Sequence, residues 1–308
     1  MKCVAIGIDV GGTNISFGVV TDQGEIIYKT HSPTHQYPIP EDFVEWISQN
    51  IVKFSVDQPN VIIQGIGVGA PNGNIHSGQI VFAPNLPWKG EISLAQMLTT
   101  QTGLQTTLTN DANAAAWGEM LYGAARGCKD FLFITLGTGL GSGIVSGGEM
   151  IYGHDGFAGE VGHMILFPEG RDCGCGRKGC VEAYCSASAI LLTYYELGGE
   201  NVCSAQEIFN RAQQGEGLAI QAFEQTGNWL GLVLANCVAV TSPEKIILFG
   251  GLAQAGEVLL SPTIKSFENN LLTIYRNKIP IIISQLPGND SAILGAAALA
   301  FGTKASRR

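Results

Sequence analysis

Long apolar runs are missing from this chain of 308 residues. The longest, Trp229 to Val240, is about a dozen residues, is broken by Asn236 and falls short of the roughly 20 that a membrane-spanning helix needs. It reads as a buried helix. Near the N-terminus, Asp9 cuts the apolar run Val4–Ile8 below the roughly 7–15-residue core of a secretory leader, which points to a cytoplasmic protein. Charge is scarce too. Charged residues make up 14%, against about 25% in an average soluble domain. The 17 Lys and Arg form no block and are outnumbered by 26 Asp and Glu, for a net charge of −9. Nucleic-acid backbones are bound by clustered cations, so a nucleic-acid partner is excluded. The sequence has no G-x-x-x-x-G-K-[ST], and Gly137–Gly143 does not open a helix, so neither a Walker nucleotide site nor a Rossmann fingerprint is present.

What the chain has in excess is glycine, 41 of 308 residues, or about 13% against an average of about 7%. There is no collagen period and no Ser-rich linker, so these glycines serve tight turns or ligand loops. Eight cysteines are present. Cys173, Cys175 and Cys180 crowd together, whereas Cys3, Cys128, Cys185, Cys203 and Cys237 are scattered. Clustered thiols in a reducing compartment point to metal rather than to disulfides.

The length suits about two domains. Turn residues and β-branched content predict strands over Cys3–Ile8, Ile15–Val20 and Glu25–Lys29, then a helix over Glu41–Phe54 and a strand over Val61–Val68. A helix near Ile92–Thr102, a strand over Leu104–Leu108 and an Ala-rich helix over Asn113–Ala125 follow, which makes an α/β class. The second half repeats the opening. Gly11–Ile27 resembles Gly137–Ile151, with Gly18 over Gly143, which predicts two related lobes with one Gly-rich hairpin each. Beyond a Gly- and Cys-rich stretch, helices are expected over Val181–Leu197, Ala205–Gln213, Leu218–Val240 and Ser291–Gly302, with a strand over Lys245–Phe249 ending in Gly250-Gly251.

Several segments carry chemistry. Asp9-Val10-Gly11-Gly12-Thr13-Asn14 sets a carboxylate at a strand end beside a turn with bare backbone, which suits phosphate and hydrated Mg²⁺ but equally an ordinary hairpin. Gly137-Thr138-Gly139-Leu140-Gly141-Ser142-Gly143 reads as a second phosphate cradle, since so many glycines are entropically costly without a ligand. Asp111 stands at a strand-to-helix junction, either as a helix cap or as a base for an attacking hydroxyl. His163 with Cys173, Cys175 and Cys180 makes a closed tetrahedral donor set for structural Zn²⁺. Glu160 and Glu182 flank that loop and suit sugar hydroxyls, or are solvated loop charges.

Taken together, DVGGTN, NDAN, TLGTGLGSG, the E-x-x-H of Glu160–His163 and the C-x-C-G-x-x-G-C-x-E of Cys173–Glu182 resemble the ROK family of sugar kinases and sugar-responsive repressors. The resemblance runs from about Cys3 to Gly302. It implies a two-lobed actin-like/hexokinase (ribonuclease H-like) ATPase fold with a zinc-binding loop and ATP in the cleft. The lobes would be 1–112, completed by a helix over 291–308, and 113–290 with the zinc loop at 160–182. Asp9, Gly11, Gly12, Thr13, Asn14, Gly137, Thr138, Gly139, Gly250 and Gly251 would surround the nucleotide, and Asp111 would be the base. Asn85, Asn110, Glu160, His163 and Glu182 would hold the sugar, with His163 on zinc through one ring nitrogen and on sugar through the other. The family's repressors carry a DNA-binding segment before the DxGGT loop, for which the residues before Asp9 leave no room. Asn85-Leu86-Pro87-Trp88 and Asn110–Gly123 are most similar to the bacterial glucokinases of the family. The implied reaction is transfer from ATP, with Mg²⁺, to the 6-hydroxyl of glucose, in a homodimer or higher homo-oligomer without membrane or nucleic-acid partners. The alternatives are a kinase for N-acetylglucosamine, N-acetylmannosamine, mannose or fructose, a non-catalytic sugar sensor, or a donor other than ATP, such as polyphosphate. The two Gly loops lie outside the zinc segment and are expected to be indifferent to the ion.

Overall fold

Val, Ile, Ala and Gly fill most of β1 (Lys2–Val10), a composition suited to a strand covered on both faces. In the computed structural model, which describes residues 2–288 and 290–305, the chain forms two units. The first runs to Gly127, takes in Tyr152–Ala158 and resumes at Gln285, and the second comprises Cys128–Ile151 and Gly159–Ser284.

In the first unit β1 pairs antiparallel with β2 (Asn14–Thr21), which pairs antiparallel with β3 (Ile26–Pro33). On its other side β1 pairs parallel with β4 (Val61–Gly69). A short ribbon of β5 (Ile80–Val81) and β6 (Glu91–Ile92) precedes β7 (Thr106–Thr109), which runs parallel to β4. The sheet order is therefore β3-β2-β1-β4-β7. Helix α1 (Pro40–Asp57) opens with Pro40 at its first turn and with Glu41 and Asp42 where acids favour the helix dipole. It buries Phe43, Val44, Ile47, Ile51 and Phe54 in one cluster with Val4, Ile6 and Phe17, each side chain contributing about 2 kcal/mol. Helices α2 (Leu94–Thr102) and α3 (Asp111–Tyr122) follow. The C-terminal helix, Ser291–Ala305, lies against β1, β4 and α3. It can approach because the strands are bare there: a Cβ on Gly7 would meet Ile293 O at 2.1 Å and one on Gly67 would meet Ala296 O at 1.8 Å.

The second unit has β8 (Phe131–Leu136), β9 (Leu140–Ser146), β10 (Glu149–Met150), β11 (Lys245–Phe249) and β12 (Ile281–Ile283) in the order β10-β9-β8-β11-β12. Its β8–β9–β10 meander is antiparallel and its β8, β11 and β12 are parallel, the same connectivity as in the first sheet. The two resembling segments fall on equivalent hairpins, so the repeat expected from sequence is a repeat of topology. Helices α4 (Glu182–Cys185), α5 (Ala187–Glu196), α6 (Ala205–Gln213), α7 (Gly217–Thr241) and α8 (Glu257–Asn270) enclose the unit's core. The single helix expected over Val181–Leu197 is instead broken at Ser186, whose backbone is extended and whose Oγ caps α5 by accepting from Ala189 N at 3.1 Å. Helix α3 starts at Asp111, ahead of the expected Asn113, because its cap lies at Asn110. Among the described residues no helix is long and apolar enough to cross a membrane.

Candidate active site

Three parallel strands of the first sheet end together. The register sets Asp9 of β1 beside Gly69 of β4, and Gly69 beside Thr109 of β7. Gly69 has no side chain to separate its neighbours, and its Cβ position would lie 3.6 Å from Asp111 Cα. Asp9 is half-buried, and loss of hydration, followed by the negative charge of Asp111, pushes its carboxyl up to about 7. Desolvation also raises Asp111, although its Oδ1 accepts from Ala112 N at 2.8 Å. The Asp111 side chain still reaches solvent. The helix cap is the neighbouring residue: Asn110 Oδ1 accepts from Asn113 N at 2.7 Å, so Asp111 is the first helical residue and not the cap.

The β1–β2 turn lies beside these acids. Gly11 N donates to Asn14 O at 3.0 Å, closing the turn, and buried Thr34 braces it through Oγ1 to Gly11 O (2.7 Å) and its own N–H to Thr13 O (2.9 Å). A Cβ on Gly12 would lie 3.0 Å from Asn85 O, so Asn85 packs directly on the turn. The Asn85 loop is held from below by buried Trp88, whose indole N–H donates to Tyr37 O at 2.9 Å. Asp9, Gly11–Asn14, Asn85, Asn110 and Asp111 are thus gathered at one end of the first sheet.

In the second unit the β8–β9 turn closes in the same way, with Gly137 N donating to Gly139 O at 3.0 Å. Gly250, at φ +104°, follows β11 and would drive a Cβ to within 2.5 Å of Leu136 O, so only glycine lets the Gly250-Gly251 turn lie against the end of β8. Gly137, Thr138, Gly139, Gly250 and Gly251 therefore share one end of this sheet. Beside Gly251 opens an apolar cavity of about 150 Å³ lined by Ala187, Ala205, Gln206, Phe209 and Phe223. These residues had no motif to announce them. Each is an ordinary apolar or polar position of α5, α6 or α7, and only the packing of three helices makes a pocket of them.

His163, Cys173, Cys175 and Cys180 bring their donor atoms within 4.8 Å of one another. Cys175 and Cys180 Sγ are 3.7 Å apart, and Cys173 Sγ is 3.8 Å from His163 Nδ1. A disulfide needs about 2.05 Å, whereas thiolates on a tetrahedral Zn²⁺ at about 2.3 Å stand about 3.8 Å apart. Three thiolates and an imidazole at this spacing fit zinc. The knuckle is pinned by Leu166 N to Gly179 O (2.8 Å) and Val181 N to Met164 O (2.9 Å), and Arg177 donates to His163 O at 2.8 Å. Gly179, at φ +76°, would place a Cβ 1.7 Å from Phe167 O. Arg171 ties the knuckle to α4 through Ala183 O and to α5 through Thr193 Oγ1 and Glu196 while its guanidinium covers the Tyr184 ring at 4.6 Å. With Nδ1 towards the thiols, His163 turns Nε2 towards Glu160, 3.9 Å away. Buried Ser142 holds the turn that carries Glu160, with Oγ bonded to Gly159 O and accepting from Val161 N. Glu182 is half-buried and points back to the glycine turn, where its Oε2 accepts from Leu140 N at 2.9 Å. The five sugar-binding candidates therefore divide between the units, Asn85 and Asn110 in the first and Glu160, His163 and Glu182 in the second.

The model of the ROK family matches residues 5–303. A glucokinase of Halalkalibacterium halodurans is 34% identical over 94% of this chain and 92% of its own length. An N-acetylmannosamine kinase of Escherichia coli O7:K1 is 33% identical over 97% of this chain and 99% of its own. Among solved structures, a ROK family glucokinase from Streptomyces griseus in complex with glucose and AMPPNP superposes with a TM-score of 0.80 at 33% identity, covering 97% of this chain and 99% of that one.

Proposed function

The chain belongs to the ROK family, and from that membership we propose that it is an ATP-dependent hexose kinase that phosphorylates the 6-hydroxyl of glucose. The observation that carries the mechanism is the carboxylate pair at the strand ends. Because Asn110 caps α3, Asp111 is left for chemistry, and its raised proton affinity suits a group that must accept the proton of a hydroxyl as that oxygen attacks the γ-phosphorus. Asp9, whose carboxyl is raised by burial and then by the charge of Asp111, belongs to a site with an excess of negative charge that a hydrated Mg²⁺ would relieve. When bound, that ion neutralises charge on the transferring phosphates.

The turns Gly11–Asn14, Gly137–Gly139 and Gly250-Gly251 turn bare backbone towards phosphate, and the cavity beside Gly251 receives the base. Asn85, Asn110, Glu160, His163 and Glu182 bind sugar hydroxyls. His163 presents Nδ1 to the thiols and Nε2 towards Glu160, so the imidazole and the three cysteines would hold a zinc ion that orients the ring for the sugar and does not react. Support for glucose comes from the glucokinase relative and from the glucose complex of the Streptomyces griseus enzyme. The N-acetylmannosamine kinase relative favours a second reading, an acylated amino sugar. Release of ADP with glucose, mannose, fructose, N-acetylglucosamine and N-acetylmannosamine at matched concentrations decides between them. The highest kcat/KM is expected with glucose; a preference for N-acetylmannosamine replaces the substrate, and no ADP release with any sugar rejects the kinase.

A further inference from the structure

We propose that the zinc knuckle sets the shape of the glycine turn Gly137–Leu140, with Glu182 as the positioning residue that joins them. The inference rests on the reading of that turn as the nucleotide's phosphate loop. The sequence suggests independence, since the turn lies well outside the cysteine segment. The hydrogen bonds reverse that expectation.

Chain leaving the last zinc ligand, Cys180, runs straight along the turn. Two residues on, Glu182 Oε2 accepts from Leu140 N at 2.9 Å. At the break between α4 and α5, Ala187 N donates to Gly137 O at 2.8 Å, and Ser188 Oγ donates to Thr138 O at 3.0 Å. The turn is thus held at Gly137, Thr138 and Leu140 by one segment. The fit at the remaining residue is steric: a Cβ on Gly139 would lie 2.2 Å from Glu182 Oε2, so the turn rests on the carboxylate only because Gly139 has no side chain. The other zinc segment touches the same place. Gly162, next to ligand His163, would drive a Cβ to within 2.1 Å of Leu140 O. At its far end Glu182 Oε1 stands 3.8 Å from Cys173 Sγ. His163 and Cys180 lie on two segments that Leu166 N–Gly179 O and Val181 N–Met164 O join, and each has a close neighbour pressed on Leu140. An ion that fixes the two segments to one another fixes the seat of the turn.

The sugar role of Glu182 is compatible with this one, because a carboxylate has about four acceptor sites and the Leu140 N–H takes one. The two roles separate when nucleotide binding is measured without sugar. Binding of a fluorescent N-methylanthraniloyl ATP is followed with zinc-loaded protein, chelator-stripped protein, Glu182→Ala and Glu182→Gln, with zinc content and near-ultraviolet circular dichroism recorded for each. Stripping the zinc and Glu182→Ala should each weaken Kd about tenfold, the scale of one charge-assisted hydrogen bond. Stripping Glu182→Ala should add little, since both changes act through one link. Glu182→Gln keeps an oxygen that accepts from Leu140 N and should recover most of the affinity. An unchanged Kd on zinc removal, or losses that simply add, overturns the proposal. Should the stripped protein lose its near-ultraviolet signal, zinc-loaded Glu182→Ala decides alone: full zinc with weakened nucleotide supports the link, and full zinc with unchanged nucleotide overturns it. Absence of nucleotide binding by the unmodified, zinc-loaded protein instead rejects the phosphate-loop reading on which the proposal stands.

Discussion

Asp9 and Thr135 hold the same place in two sheets of one topology. Asp9 is second from the end of the first central strand and pairs with Gly69 of the neighbouring parallel strand, and Thr135 is second from the end of the second central strand and pairs with Phe249. Their chemistry differs. Asp9 is a desolvated acid with another acid nearby, whereas Thr135 Oγ1 is satisfied by Gly141 N at 2.9 Å within its own hairpin. Where Gly69 clears the space between two carboxylates, Phe249 fills it and stacks on Phe133 at 6.0 Å. Topology decides where strand ends converge in each unit, and the residue type at those ends decides whether a charge or a packed surface stands there. The first unit gathers two acids beside its strand ends, and the second sets its glycine turns beside a cluster of three thiols and an imidazole.

The sharpest way to break this division is Asp111→Asn. If Asp111 is the base, kcat should fall by about 10²–10⁴-fold, while Asn110 still caps α3 and the fold is kept. A variant with near-normal kcat would remove the first unit's claim to the chemistry. Next in size is a pair of glycine changes. Gly67→Ala forces a methyl against Ala296 O and should cost about 3 kcal/mol or more in unfolding free energy. Gly137→Ala meets nothing within 4 Å and should change stability by no more than about 0.5 kcal/mol, yet weaken nucleotide binding. Denaturant melts with a nucleotide titration separate structural from functional glycine, and equal destabilisation by both would erase the contrast.

A third test uses pH. The Asp9 carboxyl is raised from an ordinary 3.8 to about 7, so the fold favours its protonated form. That contribution is complete below about 3.8, is lost as pH climbs through about 7, and is constant above. In buffer free of divalent cations, Asp9→Asn should therefore gain on the unmodified protein between pH 4 and pH 7 in thermal melts. Added Mg²⁺ should narrow the gap by favouring the ionised form. A gap that stays flat with pH would deny the raised Asp9 carboxyl. A milder loss than that of Gly67→Ala is expected for Asn110→Ala, about 1 kcal/mol for the lost cap. A rise in sugar KM beyond what that instability explains would separate its binding role from its capping one.

How far the sequence could be read followed the kind of signal each part carries. The duplicated hairpins were legible because a turn needs glycine whatever packs on it, so Gly11–Ile27 and Gly137–Ile151 betrayed a repeated topology. The gathering of His163, Cys173, Cys175 and Cys180 was legible because closely spaced donors in a Gly-rich stretch can fold onto one point. The cap at Asn110 was not, since Asn and Asp are nearly equal as caps and only the hydrogen bond to Asn113 N separates them. The break at Ser186 was hidden inside an apolar period that continues through it, because the backbone there answers to Gly137 O, far off in sequence. Phe223 in the core and Phe209 packed against it also line a cavity, which no spacing along their helices marks. The short ribbon of β5 and β6, too brief to show a period, seats the Asn85 loop without leaving a pattern.

The bare strip on the first sheet sets a timetable for synthesis. Gly7, Gly18 and Gly67 are shaped to receive Ile293 and Ala296, which leave the ribosome nearly a whole chain later. Until then a nascent chain holds an apolar face of its first unit uncovered, while the second unit already has every strand and helix it needs once Ser284 has emerged. The part made first is the part finished last, and a chain cut short before Ser291 would expose to chaperones and proteases a sheet whose own glycines leave nothing with which to cover it.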